Sequence, residues 1–166
     1  TFLFVGSVRC VYETAFTSGI DDTYDEYVFK FYDIHVSPVE NYEMGFQCST
    51  DGGSSYGVTA TTTLFQASHG ESDSPASISY NTGNDLAQST NFQPLMLNLD
   101  NADDSSHSGT LRIFSPSSDT FVKHFMSDGT NMFFNDGAGR QLVAGYFNTT
   151  SPLNAVQFKF NSGNID

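Results

Sequence analysis

The sequence predicts an all-β fold: an antiparallel β-sandwich of jelly-roll type, with about nine strands, in one domain over residues 1–166. Three observations lead there. Sixteen Phe and eight Tyr stand beside fourteen Gly and no Trp, and the residues that favour helices are scarce, whereas aromatic side chains fit a pleated surface. No stretch repeats apolar residues at i, i+3, i+4 and i+7 over several turns. Short apolar runs recur instead, separated by clusters of Gly, Ser, Asn and Asp that form turns.

Taken in chain order, the first strand is VRCVYETAF (8–16), and EYVFKFYDIHV (26–36) follows the breaker TSGIDDTYD. YEMGFQC (42–48) and GVTATTTLF (57–65) flank the patch STDGGSS, where Asp51, Gly52 and Gly53 predict the tip of a hairpin because glycine supplies the positive φ of a tight turn. From Gln66 to about Gln93 the strand signal is weak apart from a short ISY (78–80), so this stretch is expected to cross between sheets or to carry function. PLMLNL (94–99), LRIF (111–114), Phe121–Phe125 and LVAGYF (142–147) follow, with NADDSSHSG and SDGTN expected as turns. The clearest alternation comes last, with Val156, Phe158 and Phe160 on one face and Gln157 and Lys159 on the other.

Composition and charge exclude several function classes. Six Lys plus Arg against nineteen Asp plus Glu give a net charge of −13, a field that repels phosphate backbones, so no nucleic-acid partner is expected. The opening TFLFVGSV is too short to span a bilayer and has no basic flank, so membrane insertion is not expected. A start at Thr1 rather than Met points to processing or to a segment of a longer chain. Cys10 and Cys48 form no CxxC or Cys/His pattern, which argues against zinc; free thiols are expected, with a disulfide as the alternative.

The motifs that would carry chemistry are incomplete. From Asp51 the spacing lacks the closing Glu of a calcium loop and the Lys of a phosphate loop. His69, Gly70 and Glu71 form an HxE triplet, but no cysteine follows Cys48 to complete a deaminase zinc site. His35, His69, His107 and His124 are scattered, and no GxSxG elbow occurs. Carboxylates cluster at Asp21, Asp22, Asp25 and Glu26 and at Asp100, Asp103 and Asp104, where solvated turn formers are the expected reading and glycosidase acids or calcium ligands the alternatives. No catalytic residue, metal ligand or cofactor is therefore expected.

The segments GIDDTYDEYVFKFYDIH, FQCSTDGGSSYGVTATTT, YNTGNDLAQSTNFQPL, GTLRIFSPSSDTFVKHF, AGYFNTTSPLNAVQFKF and SGNID, as an ordered series, resemble a family of virion structural proteins of tailed bacteriophages, especially phages of marine bacteria and cyanobacteria. The resemblance spans about Ser18 to Asp166. It implies a non-enzymatic β-sandwich on the exterior of the virion, in a tail fibre, head fibre or capsid decoration. It further implies synthesis in the bacterial host cytoplasm with reduced cysteines, other virion proteins as partners, and assembly as a homotrimer. Two departures stand out: Arg9, Cys10 and Glu13 sit where family members are richer in Ser and Thr, and the chain stops at Asp166 where members continue into a further short strand. The alternative function is a carbohydrate-binding, receptor-recognition domain of a fibre tip. There Tyr80 would stack on a host surface glycan, and Asn81, Asn84 and Asp85 would supply polar arms.

Overall fold

A computed structural model describes residues 2–4, 13–37, 42–74, 76–133, 136–162 and 164–165. The described residues contain strands and turns and no helix. The strands are β1 (Phe2–Phe4), β2 (Glu13–Phe16), β3 (Glu26–Ile34), β4 (Val36–Ser37), β5 (Tyr42–Ser49), β6 (Ala60–Gly70), β7 (Ala76–Tyr80), β8 (Gln93–Leu99), β9 (His107–Phe114), β10 (Lys123–Phe133), β11 (Gly137–Phe147), β12 (Ala155–Phe160) and β13 (Asn164–Ile165). All nine anticipated strands are present in whole or part, residues 8–12 of the first lying outside the described residues; β1 and β13 are not anticipated, Val36 of β4 ends the anticipated run 26–36, and ISY lies in β7.

Pairing divides the strands into two layers. One runs β1-β3-β9-β10-β11-β6-β7, the other β8-β5-β12-β2, and a single pair, Phe133 with Leu99, links β10 to β8. Every pair is antiparallel except β1 with β3, which is parallel; β4 and β13 form a separate two-stranded ribbon. The chain passes repeatedly from layer to layer, and β2, near its start, lies beside β12, near its end. This is jelly-roll connectivity, with the meander β9-β10-β11 standing where a simple jelly roll has one strand.

Phenylalanine fills the space between layers. Phe158 of β12 meets Phe29 and Phe31 of β3 edge-on, with ring centroids 5.3 Å away in both cases, and Phe16 of β2 at 6.1 Å. Phe46 of β5, directly opposite Phe158 in the register, meets Phe125 of β10 at 5.0 Å and Phe147 of β11 at 5.7 Å, again edge-on. Facing sheets stand about 10 Å apart, a gap that interleaved aromatic rings can span. Alternation turns these rings inward, and Met44, Cys48, Leu64, Leu111, Ile113, Val143 and Val156 are among the other members of the cluster.

Two sequence expectations fail for identifiable reasons. The Asp51–Gly53 turn is not a hairpin tip, because β5 pairs with β8 and β12 whereas β6 pairs with β7 and β11; the turn carries the chain from one layer to the other. Gly52 and Gly53 do adopt positive φ, of 72° and 85°. SDGTN is not a turn either: Ser127 to Asn131 lie inside β10, paired on one side with β9 and on the other with β11. Hydrogen bonding on both edges overrides the low strand propensity of Asp, Gly and Asn. For the same reason β9 begins before LRIF, β11 before LVAGYF, and β6 continues to Gly70.

Cys48 is buried as a free thiol, and desolvation pushes its pKa well up; Cys10 lies outside the described residues. Lys123, also fully buried, donates from Nζ to the carbonyls of Phe121 at 2.9 Å and Thr149 at 3.1 Å. Phe158→Ala is expected to cost about 3–5 kcal/mol in denaturant unfolding, since it removes a ring shared by both layers. The same truncation at Phe121, which is 72% exposed, is expected to cost under about 0.5 kcal/mol. Cys48 is expected to react with a thiol reagent only after unfolding.

Candidate interaction surface

Alternation along the seven-stranded layer sends every second side chain outward, and the outward set is unusually apolar. Cross-strand register places Tyr80, Phe65 and Leu142 in one row over β7, β6 and β11. Ile78 lies in the next row beside Ala67, and Met126 lies beside Ala144 on the other flank. Ile78 is 86% exposed, Met126 55%, Tyr80 49% and Phe65 47%, and the Phe65 and Tyr80 rings meet edge-on at 5.9 Å. Small neighbours, Thr61, Thr63 and Ala144, leave a shallow depression of about 470 Å³ that reaches Phe114, His124 and Tyr146.

The charges on this face differ from those of the whole chain. Lys30, Arg112 and Arg140, three of the six basic residues, point outward here beside Glu26 and Asp128, and Asp73 and Asp85 border the face through His69 and Tyr80. Arg140 grips Asp128 with a fork, Nε to Oδ1 at 3.0 Å and Nη2 to Oδ2 at 2.7 Å, which holds that carboxyl below its usual pKa. Arg112 Nη1 donates to Glu26 Oε1 at 3.0 Å. Strand β7 borders the face with both sides exposed, pairs only with β6 among the described residues, and carries no charge or proline.

The structure brings Tyr80, Asn81, Asn84 and Asp85 together at the end of β7 and in the turn after it, with each side chain engaged by a protein partner. The Tyr80 hydroxyl donates to Asp85 Oδ2, and Asn81 Oδ1 accepts from the Gly83 amide at 3.2 Å. Asn84 Nδ2 donates to Glu43 Oε1 at 3.0 Å. The Tyr80 ring is the part of this group that looks outward. Beyond Glu43, on the outer face of the four-stranded layer, a groove of about 410 Å³ is lined by Gly45, Gln47, Phe92, Lys159 and Asn161, with Lys159 Nζ 5.6 Å from the Phe92 ring centroid. The alternation that sets Lys159 opposite Phe158 and Phe160 is the sequence signal nearest to it, because Phe92 comes from a loop.

Other groups singled out by sequence do structural work. The Asp51 carboxylate accepts from the Ser49 hydroxyl at 2.6 Å, the Ser55 amide at 2.9 Å and the Ser55 hydroxyl, and these bonds bring its pKa down to about 2. Asp21 Oδ1 accepts from the Thr23 amide and from the Tyr27 hydroxyl, each at 2.9 Å, and its pKa is lowered accordingly. Asp100 Oδ1 accepts from the Ala102 amide at 3.3 Å, whereas Asp22, Asp25, Asp103 and Asp104 lie exposed in turns. His69 Nε2 lies 3.1 Å from Asp73 Oδ1, His35 Nδ1 lies 2.8 Å from the Ser105 carbonyl, and His124 packs beside Tyr146 at 6.1 Å. Among the described residues, no three His, Cys, Asp or Glu side chains gather as a metal site would require, and no helix is long and apolar enough to cross a membrane. No family model, no curated protein and no solved structure matches the chain.

His107 differs from the other histidines in being buried, and desolvation pulls its pKa from 6.5 down to about 4. The unfolded chain therefore takes up this proton as pH falls through 6.5 while the folded chain does not. The neutral ring's contribution is complete above pH 6.5 and is lost progressively between 6.5 and about 4. At about 1.4 kcal/mol per pKa unit, the loss is on the order of 3 kcal/mol. Urea unfolding across that range is expected to show this decline and His107→Gln to flatten it; an unchanged slope in the variant would contradict the assignment.

Proposed function

We propose that this chain is a non-enzymatic structural protein of the exterior of a tailed-bacteriophage particle, a tail-fibre, head-fibre or capsid-decoration sandwich that works by assembling into a homotrimer. The observation that carries this reading is the outward face of the seven-stranded layer. Contiguous exposed apolar side chains on a soluble β-protein mark surfaces that become covered, and here Phe65, Ile78, Tyr80, Met126 and Leu142 share one face. An uncharged edge strand, β7, offers unpaired main-chain groups at the border of that face.

Charge favours a cyclic arrangement. A face that holds three of the six basic residues, on a chain of net −13, meets less repulsion against a different, acidic surface of the next copy than a wholly acidic face would. Such heterologous contacts close into rings, and three copies suit fibres and three-fold capsid positions. Particle proteins of the same virion are the further partners. The engagement of Asp21, Glu26, Asp51 and Asp100 in turns and ion pairs supports a scaffold in preference to acid catalysis.

A host-glycan-binding fibre tip is the second reading, favoured by one observation: Asn84 joins the turn carrying Tyr80 and Asp85 to the Glu43 side of the Phe92 groove.

The isolated protein is expected to sediment with a mass near three chains at micromolar concentration. Ile78→Asp combined with Phe65→Asp is expected to give single chains with an unchanged far-ultraviolet spectrum. Glycan-cleavage assays are expected to stay blank for the native chain and for Asp103→Ala with Asp104→Ala. A native chain that is strictly monomeric, or a double variant that keeps the trimer mass, would refute assembly through this face. Polysaccharide hydrolysis abolished by one acidic substitution would refute the non-enzymatic reading.

A further inference from the structure

Strand β7 closes one edge of the seven-stranded layer, and its main chain is only half used. Bonding alternates along β6: the Glu71 amide donates to the Asp136 carbonyl on the β11 side, whereas the Leu64 carbonyl accepts from the Asn81 amide on the β7 side. Even-numbered residues of β6 therefore bond to β7, and register sets Leu64, Gln66 and Ser68 against Asn81, Ser79 and Ser77. In an antiparallel ladder the residues between these turn their N–H and C=O groups the other way. Ala76, Ile78 and Tyr80 thus present theirs to the open edge, where no described strand meets them.

This edge lacks the devices that usually block strand addition. Its pairing with β6 runs from Phe65 and Tyr80 to His69 and Ala76 without a bulge, all five residues are exposed, and none is charged. Its sequence, ASISY, reads almost the same in both directions about Ile78. Two such strands laid antiparallel across a two-fold axis at Ile78 set Ser77 against Ser79, Ala76 against Tyr80 and Ile78 against itself. Hydroxyl then meets hydroxyl, as Ser68 Oγ already meets Ser77 Oγ at 3.0 Å within the sheet, and the small Ala76 leaves room for the Tyr80 ring. The outward main-chain groups are the ones opposed, so about six N–H···O bonds form. A register moved by two residues would lose a bonded pair.

Charge selects the same partner. On a chain of net −13 apposed acidic surfaces repel, whereas this edge is neutral, and the flanking carboxylates Asp73 and Asp85 are engaged by His69 at 3.1 Å and by the Tyr80 hydroxyl. We infer that β7 is a self-pairing edge, which joins two copies of the chain across a two-fold axis and continues the seven-stranded sheet from one copy into the other. The contact lies in the plane of the sheet and the apolar face looks along its normal, so this pairing is additional to assembly through that face. It doubles a trimer to six chains, or a single chain to two. Strands this short bury little surface, so the pairing is weak and depends on concentration.

Sedimentation of the intact chain from micromolar to millimolar concentration is expected to show its mass double. Ser77→Lys with Ser79→Lys sets like charges against each other across the axis and leaves Phe65, Ile78 and Tyr80 in place. It is expected to keep the undoubled mass with an unchanged far-ultraviolet spectrum. A native mass that never doubles, or a variant that doubles like the native chain, would overturn the inference. The starting mass separates this contact from the trimer: a rise from one chain to two upholds the edge and refutes the trimer, whereas a constant three does the reverse. Should the lysine variant not fold, cysteine chemistry reads the register. Ser77→Cys and Ser79→Cys chains, mixed and mildly oxidised, are expected to link to each other in preference to themselves; equal self-linking, or no linkage, would overturn the pairing.

Discussion

The packing of Phe46 and Phe158 between the two layers is the contact on which the rest of this structure depends. The two residues are cross-strand neighbours in the four-stranded layer, yet their rings contact Phe29, Phe31, Phe125 and Phe147 of the opposite one. A sandwich is stable only if both inner faces lose water together, and these rings connect β3, β10 and β11 to β5 and β12 in one apolar cluster. The jelly-roll path is what brings them into range. It sets β12 between β2 and β5, so residues far apart in sequence close the core. Such non-local pairing makes folding slow relative to a helical protein of this size.

Against that aromatic centre, the polar end of the seven-stranded layer behaves differently. There the inward positions hold His107, Gly109, Gly129, Asn131, Gly139 and Gln141, and main-chain ladders rather than ring contacts keep the strands together. The single bridge from Phe133 to Leu99 joins the layers nearby, and Asn131 reinforces it by reaching the Leu97 carbonyl. One layer is thus fastened by packing at its middle and by hydrogen bonds at its end.

This division also explains what could be read from the chain. Strands whose inward residues are apolar were legible in sequence; Val156 to Phe160 is the plainest, and β3, β5 and β8 follow the same logic. The strands misjudged in extent, β6, β9, β10 and β11, were all cut short at the same end of the same sheet. There Ser127, Gly129 and Asn131 face inward, so periodicity in hydrophobicity vanishes although the strand continues. The Asp51 turn was legible as a turn, from its glycines and hydroxyls, but not as a passage between layers, since partner choice lies outside the segment. Of the interaction surface, Phe65 and Leu142 stand at the ends of apolar runs in their strands; only the pairing of β6 with β11 shows that they share an outward row. Tyr80 was singled out for its ring, and Ile78 carried no signal beyond a short apolar run.

The outward face joins these physical features to function, because a chain of net charge −13 that exposes Ile78, Tyr80 and Phe65 side by side presents a surface suited to being covered. Cryo-electron microscopy of the isolated protein at side-chain resolution tests this most directly. The account predicts three copies around a common axis, with Phe65, Ile78 and Tyr80 of each copy packed against the next. Isolated single chains, or a trimer in which those three side chains face solvent, would contradict it.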